Sequence, residues 1–184
     1  MIFLPDLHEY WNDARTIRYR SVTEILKDAG EIDDRWFTAE ARERGSAVHA
    51  LCQRYANGER VDDLGRPLES LECVNGLAAW FRDRKVYAIA TEQMIEGCVN
   101  GHHYAGTFDL LAEIGGKRVL VDYKTGAGMK WHPAQIAAYA LAVNPDRCLM
   151  LHLRADGTYK EAFIQGRGLL DGLGDFKEAL NDQL

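Results

Sequence analysis

Two aspartates interrupt apolar runs in the segment GTFDLLAEIGGKRVLVDYKTG, residues 106–126. The runs are typical of two β-strands joined by a Gly-Gly turn, and a carboxylate within such a strand is costly unless something compensates it. Asp109 and Asp122 are therefore candidates for chemistry, and Lys124 follows the second aspartate by two residues, on the same strand face. Two carboxylates beside a lysine suit the hydrolysis of a phosphodiester with the help of a divalent cation.

Hairpin register predicts that the carboxylates meet. In a two-residue hairpin the residues that flank the turn face each other, and pairing continues outward one for one. Around Gly115-Gly116 this rule places Asp109 opposite Asp122, with Cβ atoms ~4.5–5.5 Å apart. Around Asn100-Gly101 the same rule places Glu92 opposite Asp109, so that three carboxylates form one row across three strands.

Glu92 has a competitor on its own strand face. Glu96 faces Ala105 instead of Asp109 and lies ~13 Å further along the strand, which favours Glu92. A row of like charges destabilises a sheet, so a cation is expected there, and oxygen ligands suit Mg²⁺ or Mn²⁺. A lysine beside such an ion can orient or deprotonate the attacking water. The alternative is a solvated face with Lys124 as a surface partner, because a lone D-x-K is common.

The remaining elements follow from caps, turns and periodicity. The first predicted helix begins at a Ser21–Glu24 capping box and ends at Gly30, and the second covers residues 39–56 with Thr38 as N-cap. A polar loop at 59–69 precedes a third helix capped by Ser70. The fourth lies in HPAQIAAYALAV with Pro133 in its first turn, and the fifth begins at about Leu169. The predicted strands cover 87–99, 102–114 and 117–124, followed by a hairpin around Asp156-Gly157. This order predicts an α/β (α+β) fold whose central mixed sheet contains an antiparallel three-strand meander flanked by helices.

Composition sets the broad class. The 184 residues, 47% hydrophobic and 27% charged, predict one globular domain over residues 1–184. No apolar run reaches the ~20 residues that span a bilayer and Met1 begins no signal peptide, so a cytoplasmic protein without a membrane partner is expected. Four scattered cysteines without CxxC spacing predict buried, reduced thiols. The net charge of -6 disfavours nucleic acid only globally, because a nucleic-acid partner needs local positive charge.

With these residues in place, the chain resembles the PD-(D/E)XK nuclease superfamily, in its RecB-like and phage exonuclease branch. YAGTFDLLAEI and VLVDYKTG resemble the G-x-x-D and D-x-K strands, and QIAAY resembles the helix that follows them. RGSAVH is similar to the upstream helix that carries a metal-binding histidine, and YRSVTEIL to an N-terminal segment of phage-type members. Phe108 replaces the proline of the superfamily's name. The resemblance implies a restriction-endonuclease-like core.

The resemblance also implies roles for individual residues. It implies that His49, Asp109, Asp122 and the backbone carbonyl of Tyr123 bind Mg²⁺ or Mn²⁺, and that Lys124 is the catalytic lysine. The hairpin register adds Glu92, so the predicted catalytic residues are Asp109, Asp122, Lys124 and Glu92. Residues expected to contact DNA or to support the site are Gln135, Tyr139, Arg44, Thr125, Lys130 and Trp131. The aromatic ring of Trp131 either stacks on a displaced base or fills the core, and both readings stay open. The cysteine arrangement of iron–sulfur members is missing, so no cluster is expected.

The implied function is a metal-dependent deoxyribonuclease that acts on DNA ends in recombination, repair or phage DNA processing, inside a bacterial or phage-infected cell. The expected partners are ends of linear duplexes or single strands, together with a homo-oligomer or a recombination protein. A structure-specific endonuclease of the same fold is the second hypothesis. A catalytically idle DNA-binding protein is the third, although it predicts a broken D…D-x-K set, and here the set is intact.

Overall fold

The fold is a mixed sheet between two helical layers. The computed structural model describes residues 1–4, 7, 9–33, 38–61 and 66–181. Within these ranges the strands are β1 (Ile2–Leu4), β2 (Glu9–Trp11), β3 (Arg18–Ser21), β4 (Tyr87–Val99), β5 (His102–Ile114), β6 (Lys117–Lys124), β7 (Arg147–Leu153) and β8 (Tyr159–Ile164). The helices are α1 (Val22–Asp28), α2 (Ala39–Ala56), α3 (Leu68–Arg84), α4 (His132–Val143) and α5 (Arg167–Asn181). The predicted fold class, a mixed α/β sheet flanked by helices, is confirmed.

Strand β5 is the centre of the sheet. Its whole length pairs antiparallel with β4 along one edge. Its other edge is divided, because β3 runs parallel to it at Tyr104 and Ala105 while β6 runs antiparallel to it from Ile114 back to Leu110. The carboxyl ends of β3 and β6 therefore approach the middle of β5 from opposite directions. Between them, residues 106–109 have no ladder partner on that edge among the residues that the structure describes.

Two apolar cores fix this sheet between its helices. One core joins the sheet to α1, α4 and α5 through side chains such as Ile25, Ile136 and Phe176. The other joins it to α2 and α3 through side chains such as Leu51 and Trp80. Along β6 the two cores alternate residue by residue, as expected for a strand that is covered on both faces. Helices α2 and α4 therefore lie on opposite sides of the sheet.

Most predicted boundaries agree with the structure. Ser21 and Glu24 form the capping box of α1, and Thr38 caps α2 through a hydrogen bond from the Ala41 amide. The meander strands and both two-residue turns are confirmed at their predicted positions. The predicted order of elements lacked three short strands that precede α1, of which β3 joins the sheet parallel to β5.

Two local predictions are wrong. Ser70 does not cap α3: the helix begins at Leu68 after Pro67, whose fixed φ allows a helix start without a side-chain cap, and Ser70 is buried in the first turn. The polar loop predicted at 59–69 therefore ends earlier than expected, and residues 62–65 lie outside the described residues. The second wrong prediction concerns the cysteines, since Cys98 is exposed on β4 while the other three are buried.

A close cross-strand contact makes Gly97 a test of the packing. Gly97 pairs with Tyr104, and a Cβ at Gly97 would lie 2.1 Å from the Tyr104 ring. Tyr104 cannot move aside easily, because it is fully buried and its hydroxyl donates to the carbonyl of Ala138. Gly97→Ala should therefore lower the free energy of unfolding by about 1–3 kcal/mol, measured by urea denaturation.

The matched control is Gly174→Ala in α5, where an added Cβ meets nothing within 4 Å. Alanine is favoured over glycine in a helix by up to ~1 kcal/mol, so this variant should be as stable as the wild type or more stable. An unchanged stability of Gly97→Ala would contradict the contact.

Candidate metal-dependent active site

The site begins where the β5–β6 ladder ends. The pairs run in the predicted register from Ile114 with Lys117 to Leu110 with Val121. Beyond this pair a side chain replaces the backbone as the hydrogen-bond acceptor. Asp109 Oδ2 accepts a hydrogen bond of 2.6 Å from the backbone amide of Tyr123. Asp109 is thereby buried and fixed at the divided edge of β5.

Glu92 joins Asp109 from the opposite edge of β5. Its neighbours pair as predicted, Thr91 with Leu110 and Gln93 with Phe108, but Glu92 itself has a left-handed backbone with φ of 45°. This conformation costs a non-glycine residue roughly 1–3 kcal/mol and is typical of functional sites. Glu96, the alternative on this strand, is exposed and hydrogen-bonds His103 instead.

His49 reaches the two carboxylates from α2. The helix is held by Val48, Leu51 and Cys52, which are buried beneath the sheet. The Nδ1 atom of His49 lies 3.1 Å from Asp109 Oδ1. One donor atom each from His49, Glu92 and Asp109 lies within 4.8 Å of the others. Two carboxylates and one imidazole nitrogen are a donor set compatible with a divalent metal ion.

Asp122 and Lys124 form a second group beside the first. Lys124 Nζ lies 2.6 Å from Asp122 Oδ2 and donates a hydrogen bond of 3.0 Å to Gln135 Oε1. The amide of Gln135 in turn donates to the hydroxyl of Tyr139, one helical turn further along α4. Asp122 Oδ2 is buried and makes no hydrogen bond of good angle, although the ammonium group is close. Asp122 is not part of the three-residue donor group.

The charges of the two groups are mutually dependent. Burial alone would lower the pKa of His49, but the carboxylates of Asp109 and Asp122 outweigh it and raise that pKa to about 9. Burial would raise the pKa of Asp109, but the charge and hydrogen bond of His49 lower it. Burial and the neighbouring Asp109 charge raise the pKa of Asp122 and raise that of Glu92 to about 7. The site therefore disfavours the ionised form of Glu92.

His49, Glu92 and Asp109 open onto a cleft of about 470 Å³, which is also lined by Gln135, the hydrogen-bond partner of Lys124. Its lining includes side chains from both helical layers, with His49 of α2 on one side and Gln135 and Tyr139 of α4 on the other. Helices on opposite faces of the sheet can share a cleft here because the edge of β5 has no strand partner between β3 and β6. The cleft is thus built around the gap in the sheet.

The other predicted residues lie around this cleft in different ways. Trp131 is half-buried, packs against one core and has its ring 5.3 Å from Lys124 Nζ, so both readings of its role retain support. Thr125 lines a neighbouring pocket. Arg44 and Lys130 are exposed and do not line the cleft. The side chain of Tyr123 is buried and packs edge-on to His49.

Sequence reasoning missed two contributors to the cleft. Tyr10 of β2 hydrogen-bonds Thr107 of β5, and both line the cleft. Gly106 lies against Tyr139, where a Cβ would come within 2.5 Å of the ring. The G-x-x-D spacing signalled Gly106, whereas nothing local signals that β2 reaches the site.

Comparison with known structures shows the fold. A crystal structure of a protein from Eubacterium rectale, which carries a provisional assignment as an exonuclease, has a TM-score of 0.53 and 14% identity, covering 90% of this chain and 82% of its own. SSO0001 has a TM-score of 0.43 and 17% identity (90% and 76% covered), and LHK-Exo in complex with dAMP has 0.43 and 12% (89% and 87%). No protein-family model and no curated protein sequence matches. Among the described residues, no helix is long and apolar enough to cross a membrane.

The metal-ion interpretation can be tested by binding. Asp109→Asn keeps the side-chain volume but removes the charge between His49 and Glu92, so the affinity for Mn²⁺ should fall about 10-fold or more. Titration calorimetry with MnCl₂ near neutral pH measures the change, and circular dichroism checks the fold. Glu96→Gln is the control on the same strand and should bind Mn²⁺ as the wild type does. Equal losses in both variants would contradict the site.

The raised pKa of Glu92 predicts how stability depends on pH without metal. Folding favours the protonated form, so this contribution is present below the ordinary pKa of 4.5 and is lost as pH rises through about 7. Glu92→Gln cannot ionise. In EDTA at about pH 8 it should exceed the wild type in free energy of unfolding by roughly 1–3 kcal/mol, and the difference should vanish below pH 4.5. A difference that urea denaturation finds independent of pH would contradict this prediction.

Proposed function

We propose that the chain is a metal-dependent deoxyribonuclease of the PD-(D/E)XK superfamily that hydrolyses phosphodiester bonds from DNA ends. The observation that carries the proposal is that a group of possible metal ligands at the cleft lies beside a fixed lysine, whose partner Gln135 lines the same cleft. The ligand group is the His49–Glu92–Asp109 donor set, within 4.8 Å. The lysine is Lys124, held between Asp122 and Gln135. A metal site beside a fixed ammonium group is suited to phosphodiester hydrolysis, because both stabilise the charge that develops on the phosphate.

Each side chain has a role in this proposal. His49, Glu92 and Asp109 would hold Mg²⁺ or Mn²⁺, with Asp122 and the Tyr123 carbonyl as further ligands. A bound ion would supply Lewis acidity to a phosphate oxygen and to a water molecule. The proposal needs no iron–sulfur cluster.

Lys124 is the residue placed to act on the reacting atoms. Asp122 and Gln135 hold its Nζ in one position, so in this proposal the ammonium group acts without reorganisation. An ammonium donor fixed in this way stabilises negative charge that develops on the phosphate, and it can orient the attacking water. Tyr139 supports Gln135 through their hydrogen bond. This arrangement makes Gln135 and Tyr139 positioning residues.

Action at DNA ends is supported by the fold and by the charge of the chain. The fold shared with the Eubacterium rectale protein, itself provisionally assigned as an exonuclease, agrees with it. The net charge of -6 also agrees, because an enzyme that encloses a DNA end needs less positive surface than one that holds a long duplex. The resemblance to phage-type exonucleases favours 5′ ends.

A cleavage assay tests the proposal. Linear duplex labelled at the 5′ or 3′ end, a covalently closed circle and single strands are each incubated with Mg²⁺, Mn²⁺ or EDTA. The wild type should release mononucleotides from linear DNA in the presence of metal, and Lys124→Ala should lower kcat about 100-fold or more. Lys117→Ala removes an exposed lysine at the far end of the same strand and should leave activity unchanged.

The outcomes separate the hypotheses. Cleavage of the closed circle would assign the same site to an endonuclease. Absence of cleavage, with equal DNA binding by the wild type and Lys124→Ala, would leave a DNA-binding protein without this activity and would overturn the proposal. The end label gives the direction of digestion.

A further inference from the structure

A second pocket lies directly beside the catalytic strand, outside the cleft. Its volume is about 520 Å³. It is lined by the loop that follows Lys124, by the end of β7 and the turn after it, and by Lys160 of β8. His152 and Lys160 are cross-strand partners, which brings both to the same place on the β7–β8 hairpin.

The lining of this pocket is cationic. Arg154 and Lys160 are both exposed, and within the described ranges neither forms an ion pair. The carboxylate of Asp156 in the hairpin turn instead accepts hydrogen bonds from the backbone amide and the hydroxyl of Thr158. Several arginines elsewhere in the fold are neutralised, as Arg18 and Arg84 are by glutamates. Asp156 is close enough to feel the charge of Arg154 but forms no ion pair with it. In a chain of net charge -6, two exposed cations at one pocket, neither in an ion pair, favour an anionic ligand.

The loop adds backbone donors to the same pocket. Across the part of the chain that the structure describes, the amides of Gly126, Ala127 and Gly128 donate no hydrogen bond. The imidazole Nδ1 of His152 lies 3.4 Å from the carbonyl oxygen of Gly126 and braces the loop. Amides of a short loop beside cationic side chains are a common way to bind phosphate.

The fold does not require glycine at Gly126. Its φ is not positive, and a Cβ there would meet nothing within 4 Å. The missing side chain instead leaves the loop backbone open to a ligand. This is the second feature of the pocket, besides its charge, that packing does not explain.

The position of the pocket relates it to the site. Lys124 and His152 are neighbours in the parallel β6–β7 ladder, so the pocket starts one residue beyond the catalytic lysine. Residues 125–128 lie within ~13 Å of Lys124, at ~3.3 Å per residue. We propose that this pocket binds a backbone phosphate of the substrate strand that neighbours the phosphate being cut. The proposal rests on the proposed function and adds the side on which the strand continues.

Binding without metal tests the proposal apart from catalysis. A fluorescent single-stranded oligonucleotide is titrated with the full chain in EDTA over a range of salt concentrations. Arg154→Ala and Lys160→Ala should each weaken binding and reduce the slope of log Kobs against log[salt] by about 0.7. Lys177→Ala, which removes an exposed charge on α5, is the matched control. Equal effects of the control would show general charge attraction and would overturn the pocket.

A chemical substitution locates the phosphate. Oligonucleotides with one neutral methylphosphonate linkage at successive positions are cut by the wild type and by Lys160→Ala. One position should raise KM for the wild type several-fold with kcat little changed, and Lys160→Ala should add no further loss there. Additive losses at every position would contradict the proposal. If the wild type cuts no DNA, the proposed function fails, while the binding titration still decides whether the pocket holds a nucleic-acid phosphate.

Discussion

The site depends on how β5 divides one of its edges between β3 and β6. Two strands that end at the same place leave backbone groups without ladder partners, and buried backbone groups must find other partners. At this place the amide of Tyr123 donates to the carboxylate of Asp109, so a side chain continues the ladder. The same gap admits side chains of α2 and α4 from opposite faces of the sheet. The end of strand pairing in the middle of β5 therefore determines both how the sheet is completed and where the cleft forms.

Charge balance follows from that geometry. Three acidic side chains and two basic ones meet where the sheet opens, with His49 beside Asp109 and Lys124 beside Asp122. Glu92 is left with a left-handed backbone and a pKa raised to about 7. Backbone strain and an unfavourable charge at this residue both raise the free energy of the folded chain, and a divalent cation among these donors would relieve the charge.

The composition of α4 determines how the lysine is held. Its alanines let the helix lie close to the sheet, and Gly106 lets the ring of Tyr139 pack directly on the backbone of β5. Gln135 is thereby brought within 3.0 Å of Lys124. The half-buried ring of Trp131, just before the helix, covers another side of the same lysine. Helix α4 therefore supports the strand that carries Lys124.

The sequence by itself determined the features that depend on residues close together in the chain, namely turns, hairpin register and helix caps. Two-residue turns set the register of both hairpins, so the positions of Asp109 and Glu92 along the sheet followed from counting, as did the capping box at Ser21. Tertiary structure decided the rest. The parallel pairing of β3 with β5 joins segments that are far apart in the chain and carry no turn signal, so it was not predictable. The approach of His49 to Asp109 was expected from resemblance alone, because a helix face does not specify which strand it covers.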